Sequence, residues 1–241
     1  MEANLKGRVA LITGGARGIG HACAAALAQC GADIAVCDLL PVSETVERVE
    51  NLKRRCLGKQ VDVTDRNGLK RFVEEALAFF PKIDILVTCA AICPRTGTLE
   101  VSEEEWDSVL AVNVKGTFFA IQSVLPHMMK RHYGKIICFG SLAAQTGGIA
   151  SGPSYVASKG AIHSLVRHLS KKMAGFGIYV NGVAPGMVDT EMTREFGYRA
   201  DGCPIGRIGK PEDMIGPVLF LASDGSNYMT GTIMNVNGGL F

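Results

Sequence analysis

The stretch RVALITGGARGIGHACAAALAQCGADIAVCD, residues 8–38, decides the fold. It opens on an apolar, β-branched run at 8–13 and closes on a second at 33–38, and each run predicts a buried strand. Between them a glycine-rich turn leads into a run of alanines and other small residues that predicts a helix. Apolar strands joined by a helix are typical of a parallel sheet that is covered on both faces.

The same alternation continues along the chain. Five further apolar runs predict strands at 56–63, 83–88, 134–140, 178–184 and 231–237, with helical patterns between them. The sequence therefore predicts a single doubly wound, Rossmann-type α/β domain over residues 1–241. We expect a largely parallel seven-stranded sheet flanked by helices on both faces, with ligands bound beyond the carboxyl ends of the strands.

Composition narrows the class of protein. With 25 Lys and Arg against 23 Asp and Glu, the net charge of +2 gives no reason to expect a nucleic acid or a membrane as partner. The eight cysteines form no CxxC pair and no zinc-like spacing, so no metal site is expected. We expect no signal peptide and no apolar span of about 18 residues, which predicts a soluble, cytoplasmic protein.

The turn after the first predicted strand indicates a phosphate-binding loop. Gly14, Gly18 and Gly20 form a TGxxxGxG pattern, in which glycines allow the backbone to approach a pyrophosphate at the helix N-terminus. Asp38 ends the second predicted strand, where a carboxylate can accept hydrogen bonds from ribose hydroxyls and would repel a 2′-phosphate. Arg17 acts in the opposite direction, since a basic side chain there would attract that phosphate. On balance the residues favour NAD over NADP.

The stretch YVASK, residues 155–159, brings a phenol and an ammonium together. Residues four apart project side by side from a helix, so Tyr155 and Lys159 would be neighbours. A free tyrosine, with a pKa of about 10, is a poor base near neutral pH, and a nearby ammonium lowers that pKa. Taken alone the pair is more often a surface contact than a catalytic pair. It becomes an acid/base candidate through Ser141, which follows a predicted strand.

Seven motifs in order resemble the classical short-chain dehydrogenases/reductases. They are TGxxxGxG, Asp38, VDVTD at 61–65, NV at 113–114, Ser141, YVASK at 155–159 and APG at 184–186, and the resemblance runs from about residue 7 to residue 239. The chain departs from the family at 88–91, where Thr-Cys-Ala-Ala replaces Asn-Asn-Ala-Gly. The loop between Ser141 and Tyr155 is also about one residue longer than the common spacing.

The resemblance implies hydride transfer between a nicotinamide cofactor and a secondary alcohol or ketone. Tyr155 would be the general acid/base, Lys159 would bind the nicotinamide ribose, Ser141 would bind the substrate oxygen, and Asn113 would anchor a water that relays protons. It also implies a homo-oligomer, a tetramer or dimer. The residues expected to contact the cofactor are Gly14, Arg17, Gly18, Ile19, Gly20, Asp38, Asp62, Val63, Cys89, Ala90, Tyr155, Lys159, Pro185, Val188 and Thr190.

The sequence also predicts which residues form the walls of the substrate pocket. A polar, glycine-punctuated segment at about 188–209 is consistent with a mobile lid and equally with an ordinary surface loop. The five histidines fall mostly on predicted helices and none at a strand end, so none is assigned to the chemistry. The expected pocket walls are Ile92, Cys93, Leu142, Gln145, Ile149, Met187 and the segment 193–203.

Two other functions compete with an alcohol dehydrogenase. A 3-oxoacyl-thioester reductase that uses NADPH would act on acyl-carrier-protein or CoA substrates, and both Asp38 and Phe176 argue against it. In such enzymes a basic residue is expected near the position of Phe176. A nicotinamide-sensing protein without catalysis is the alternative from another class, although such proteins usually lack the tyrosine or the lysine. An epimerase or dehydratase would need a longer chain for its substrate region.

Overall fold

The apolar runs of the sequence form a single sheet in the computed structural model, which describes residues 3–148 and 150–241. Within these residues the sheet has seven strands in the order β3-β2-β1-β4-β5-β6-β7, and the pairings between neighbours are all parallel. The strands are β1 Val9–Thr13, β2 Asp33–Asp38, β3 Cys56–Gln60, β4 Ile85–Thr88, β5 Gly134–Phe139, β6 Ile178–Pro185 and β7 Ile233–Val236.

Helices cover both faces of the sheet, which confirms the doubly wound architecture. The helices are α1 Gly18–Gln29, α2 Ser43–Asn51, α3 Arg66–Phe79, α4 Glu103–Leu110, α5 Thr117–Arg131, α6 Ala143–Thr146, α7 Pro153–Met173 and α8 Ile215–Ala222. Side chains of α3, α5 and α7 form one buried cluster with the sheet, and side chains of α1, α2 and α8 form another. Strand β1 serves both clusters, because Leu11 points into the first and Ile12 into the second.

Strands β3, β4 and β7 are each at least two residues shorter than the sequence predicts, β7 spanning Ile233–Val236 rather than 231–237. Strand β3 ends at Gln60 rather than at residue 63, and a turn follows in which Asp65 N–H donates to Asp62 O. Strand β4 begins at Ile85 rather than at residue 83, and just before it the buried Asp84 carboxylate accepts a hydrogen bond from Val9 N–H. A carboxylate with no solvent contact needs such partners, and Asp84 also pairs with the guanidinium of Arg131.

The expectation of no long apolar span is wrong for one segment. The helical stretch Glu103–Arg131, which joins α4 and α5, is long and apolar enough to cross a membrane by length and composition alone. Its apolar residues pack in the core, because Ala120, Ile121, Val124 and Met128 are buried against the sheet. The core helix of a large α/β sheet passes the same test as a membrane helix.

The strand order reverses beside β1, and this fixes where a ligand can bind. Strand β1 pairs with β2 on one side and with β4 on the other, so that Thr13 lies opposite both Cys37 and Thr88. The chain leaves these neighbouring strands toward opposite faces of the sheet, which opens a crevice at their carboxyl ends.

Candidate active site

A cleft of about 700 Å³ lies beyond the carboxyl ends of the central strands. All fifteen residues expected to contact a cofactor line it, and so does Ser141. The sequence-predicted residues are thus brought together from seven separate segments, with the exception of Asn113. These lining residues are Gly14, Arg17, Gly18, Ile19, Gly20, Asp38, Asp62, Val63, Cys89, Ala90, Ser141, Tyr155, Lys159, Pro185, Val188 and Thr190.

The glycine turn between β1 and α1 is a close-packed cradle. Gly14 has a φ of +70°, and a Cβ there would lie 2.4 Å from Ala90 N. A Cβ at Gly20 would lie 2.0 Å from Gly14 O, so backbone rather than side chain occupies this space. Helix α1 begins at Gly18, and the first N–H groups of a helix have no partner within it. The cradle therefore fits a pyrophosphate held by backbone N–H groups.

Asp38 is tied to the cradle by its own hydrogen bonds. Its Oδ2 accepts from Ala16 N at 3.0 Å, and its Oδ1 accepts from Leu40 N at 3.0 Å. These bonds hold the carboxylate at the end of the cleft where a ribose joined to the pyrophosphate would lie. Arg17 is exposed and lines the same region, and Leu39 and Leu40 are also exposed. The carboxylate is thus fixed in place, while the opposing cation sits on an exposed side chain.

The departure at residues 88–91 leaves the strand junction intact. Cys89 N–H donates to Thr13 O at 3.0 Å, so backbone atoms join the end of β4 to the end of β1. Ala90 packs directly against Gly14. Cys89 is half-buried, and removal of its thiol from water raises its pKa well above the ordinary value. It is therefore a neutral, apolar wall of the cleft.

Tyr155, Lys159 and Ser141 form one group in the cleft. Tyr155 and Lys159 lie one turn apart on α7, and the Lys159 Nζ is 5.6 Å from the centroid of the Tyr155 ring. The Ser141 hydroxyl lies near enough to the phenol to act toward a lower pKa of Tyr155. Burial has the larger effect and raises that pKa above its ordinary value, and the neighbouring Cys93 and Tyr198 act in the same direction. The expected lowering of the Tyr155 pKa is therefore wrong for the protein alone, because removing the phenol from water outweighs its polar contacts.

Lys159 is a buried cation with a backbone partner. Its side chain is 4% exposed, and Nζ donates to Phe139 O at 2.8 Å. Burial lowers the pKa of Lys159 to about 8, while the thiols of Cys89, Cys93 and Cys138 act to raise it. The ammonium thus carries its charge near neutral pH and loses it in mildly alkaline solution.

Asn113 lies behind the cleft rather than in it. The sequence predicts it within a helix, and it lies in a π-helical turn, Ala111–Gly116, inserted between α4 and α5. Its side chain makes three hydrogen bonds, because Oδ1 accepts from Ile92 N, and Nδ2 donates to Ile92 O and to Ser158 Oγ. Single π turns occur often at functional sites. Here the turn ties α5 to α7 and to the wall that carries Ile92.

The predicted substrate wall is only partly in place. Ile92, Cys93, Leu142 and Met187 line the cleft, whereas Gln145, in α6, does not. Ile149 lies outside the described residues. From the segment 193–203 the cleft receives Thr193, Phe196, Tyr198 and Gly202. Across the parts of the chain that the structure describes, no group of three His, Cys, Asp or Glu side chains could hold a metal ion.

One buried residue beside the catalytic group was missed by the sequence analysis. His163 lies one turn beyond Lys159 on α7, and its Nε2 is 3.4 Å from Ser141 N. The signal that could have found it is the helical spacing, since Tyr155, Lys159 and His163 share one face of α7.

Known proteins are similar to this chain over nearly its whole length. A family model described as enoyl-(acyl carrier protein) reductase matches residues 14–241. The 2-dehydro-3-deoxy-D-gluconate 5-dehydrogenase of Dickeya dadantii is 41% identical, over 98% of this chain and 96% of its own. The 3-oxoacyl-[acyl-carrier-protein] reductase of Thermotoga maritima is 37% identical, over 98% of each chain.

One solved structure is similar to this chain over nearly its whole length. A short-chain type dehydrogenase/reductase from Mycobacterium marinum superposes with a TM-score of 0.95 at 30% identity, covering 99% of this chain and 97% of that one. The chain belongs to the short-chain dehydrogenase/reductase family and is an oxidoreductase that moves a hydride between a nicotinamide cofactor and a secondary alcohol or ketone.

Proposed function

We propose that this chain is an NAD-dependent dehydrogenase in which Tyr155 is the general acid/base. The observation that carries the proposal is the meeting, in one cleft, of the Tyr155 phenol, the Lys159 ammonium and the Ser141 hydroxyl. A hydroxyl that loses its proton while a hydride leaves its carbon needs a base beside it and a donor to hold its oxygen.

Each residue then has one task in the oxidation of an alcohol. Ser141 donates a hydrogen bond to the substrate oxygen and holds it beside Tyr155. The phenolate form of Tyr155 takes the hydroxyl proton, and Lys159 stabilises that form by its charge. In the reducing direction the same phenol returns the proton. Asn113 is proposed to hold a water that passes protons toward Lys159, with its side chain fixed by Ile92 and Ser158.

Two features of the cleft, the glycine cradle and the fixed carboxylate, fit a dinucleotide. The cradle around Gly14 has no room for a side chain, and Asp38 is fixed where it can accept hydrogen bonds from ribose hydroxyls. When bound, the cofactor's nicotinamide ring supplies the hydride acceptor or donor. We propose NAD rather than NADP because the carboxylate of Asp38 is held rigidly, whereas Arg17 is an exposed side chain.

The substrate is proposed to be a secondary alcohol or ketone of a polyhydroxy acid. The support is the name of the Dickeya dadantii relative, a dehydrogenase of a keto sugar acid. The walls suit a compound of mixed polarity, since apolar Ile92 and Met187 line the same cleft as Tyr198 and Thr193. A 3-oxoacyl-thioester reductase remains the second candidate, because the relative from Thermotoga maritima is one by name.

The segment at about 188–209 is proposed to be a lid on this cleft. Its two ends are held together, since Asp189 N–H donates to Gly209 O and Gly209 N–H donates to Met187 O, each at 2.9 Å. Phe196 and Tyr198 lie between these ends and line the cleft. To open as a lid, the segment must release the hydrogen bonds that Arg95 donates to Glu195 O and that Ile205 N–H donates to Gly238 O.

We propose a cytoplasmic homo-oligomer, a tetramer or dimer. Large apolar side chains remain exposed on the single chain, among them Leu99, Ile205, Tyr228 and Phe241. Residues 3–148 and 150–241 contain no disulfide, which suits a reducing compartment. Light scattering coupled to size exclusion measures the assembly directly.

The test is cofactor reduction, followed by absorbance, over a panel of secondary alcohols, polyols and hydroxy acids with NAD and NADP in parallel. We expect turnover with NAD that is lost in Tyr155→Phe. Turnover with NADP alone would contradict the cofactor proposal. If the panel is silent and acyl thioesters are reduced, the chain is the second candidate. Tight cofactor binding without any turnover would identify a nicotinamide sensor instead.

A further inference from the structure

Helix α7 touches the end of β5 at two points. Lys159 Nζ donates to Phe139 O at 2.8 Å, and Ser141 N–H donates to Nε2 of His163 at 3.4 Å. The two side chains lie one turn apart on α7, and the two backbone atoms belong to residues on either side of Gly140. The helix that carries the acid/base is thus fastened to the loop that carries the serine.

The imidazole of His163 is buried against the backbone it contacts. Its residue is 3% exposed, and a Cβ on Gly140 would lie 2.2 Å from Nε2 and 2.5 Å from Cδ2. The ring therefore occupies the space that a side chain at position 140 would fill. Packing this close leaves the ring little freedom to turn away from Ser141 N–H.

The contact requires a neutral imidazole with its proton on Nδ1, because Nε2 must accept from Ser141 N–H. Burial lowers the pKa of His163 to about 4, and the charges of Arg167 and Lys159 act in the same direction. The ring thus stays an acceptor throughout the physiological range of pH.

We propose that His163 is a positioning residue, which fixes the backbone of Ser141 so that its hydroxyl meets the substrate oxygen beside Tyr155. The inference rests on the proposed function of Ser141 and Tyr155. The Ser141 hydroxyl itself accepts from Ala143 N at 3.1 Å, so the loop is held at its backbone by His163 and at its side chain by the start of α6. Losing one of two such restraints frees the hydroxyl to leave its reacting position.

A role in packing alone predicts something different. Leucine fills a similar space and accepts no hydrogen bond, whereas glutamine places an acceptor at a similar reach. If His163 only fills space, His163→Leu keeps activity and His163→Gln gains nothing over it. If the acceptor matters, glutamine restores what leucine loses.

The experiment measures kcat, KM, cofactor Kd and Tm for His163→Leu and His163→Gln, with His168→Leu as the exposed control on the same helix. We expect kcat to fall about fivefold to tenfold in His163→Leu, the size of one lost hydrogen bond. Cofactor Kd should stay within about twofold, as expected for a residue that does not contact the cofactor, and His163→Gln should recover most of kcat. Equal losses in both variants, or no loss in either, would overturn the proposal. If His163→Leu does not fold, His163→Met gives the same comparison.

A second readout does not depend on turnover. Nitrogen NMR of the histidine-labelled wild-type protein distinguishes the two neutral tautomers of His163. A proton on Nδ1 is expected, and a proton on Nε2 would overturn the proposal. Failure of the proposed function can be distinguished from failure of this inference. If the Tyr155→Phe variant turns over as fast as wild type, both are contradicted. Normal Tyr155 dependence with an unaffected His163→Leu contradicts this inference alone.

Discussion

Removing the charge of Lys159 should shift the ionisation of Tyr155 by an amount that the structure sets. The Lys159 ammonium lies 5.6 Å from the centroid of the Tyr155 ring. Taking this distance to the ring as a stand-in for the separation of the ammonium and the phenolate charge, with an effective dielectric constant of about 20, the two attract by about 3 kcal/mol. This energy is worth about two pKa units of the phenol.

The variant for this test is Lys159→Met, which keeps the length of the side chain and removes its charge. Near neutral pH, below the Lys159 pKa of about 8, we expect kcat/KM to fall about 100-fold. The limb of the pH–rate profile that reports Tyr155 should move about two units to higher pH. Lys159→Arg retains a cation and should leave the limb closer to its wild-type position.

The matched control is Lys172→Met, because Lys172 is exposed near the end of the same helix. It should leave both the rate and the limb unchanged. A Lys159→Met enzyme that is slower at every pH while its limb does not move would refute the electrostatic reasoning. Lys159 would then act only through its hydrogen bond to Phe139 O.

Three further results are expected. Gly20→Ala should abolish cofactor binding, measured by fluorescence titration, because its Cβ would lie 2.0 Å from Gly14 O. The control is Gly160→Ala on α7, which should bind cofactor normally because its Cβ would meet no atom within 4 Å. Asp38→Asn should shift the ratio of kcat/KM for NAD and NADP toward NADP by at least about tenfold, through loss of a like charge, and an unchanged ratio would exclude Asp38 as the selector. Burial raises the pKa of the Cys93 thiol from 9.0 to about 12. Above about pH 9 the unfolded chain therefore binds fewer protons than the folded chain, and the free energy of unfolding falls as pH rises. Urea unfolding at a series of pH values should show this loss in wild type and a smaller one in Cys93→Ser.

The sequence predicts the parts of the site that depend on local patterns. The glycine turn and Asp38 belong to one strand–helix–strand unit, and each is read from its position relative to an apolar run. Their close contacts agree, with Asp38 bonded to Ala16 within the turn. The sheet itself follows from the same signal, because continuous apolar strands alternate with helices throughout.

What the sequence misses depends on contacts between distant segments. His163 and Ser141 are 22 residues apart, and nothing local marks that histidine as the partner of a backbone N–H. The predicted direction of the shift in the Tyr155 pKa was also wrong. Burial of the phenol depends on all the residues that line the cleft, and no single motif reports it. The helical period of 3.6 residues does not reveal the π turn at Asn113, although Asn113 itself stands out as a polar residue within the helix.

The place of β1 in the sheet has a consequence for how the chain folds. Its pairing with β4 joins Ala10 to Ile85, so the intervening chain must close into a long loop before the two strands meet. The cleft opens at this pairing and cannot exist in a chain that has formed only β1, α1 and β2. The dinucleotide can therefore bind only after this slow closure has occurred. We expect cofactor to lengthen the lifetime of the folded protein by slowing unfolding, while leaving the rate of folding unchanged.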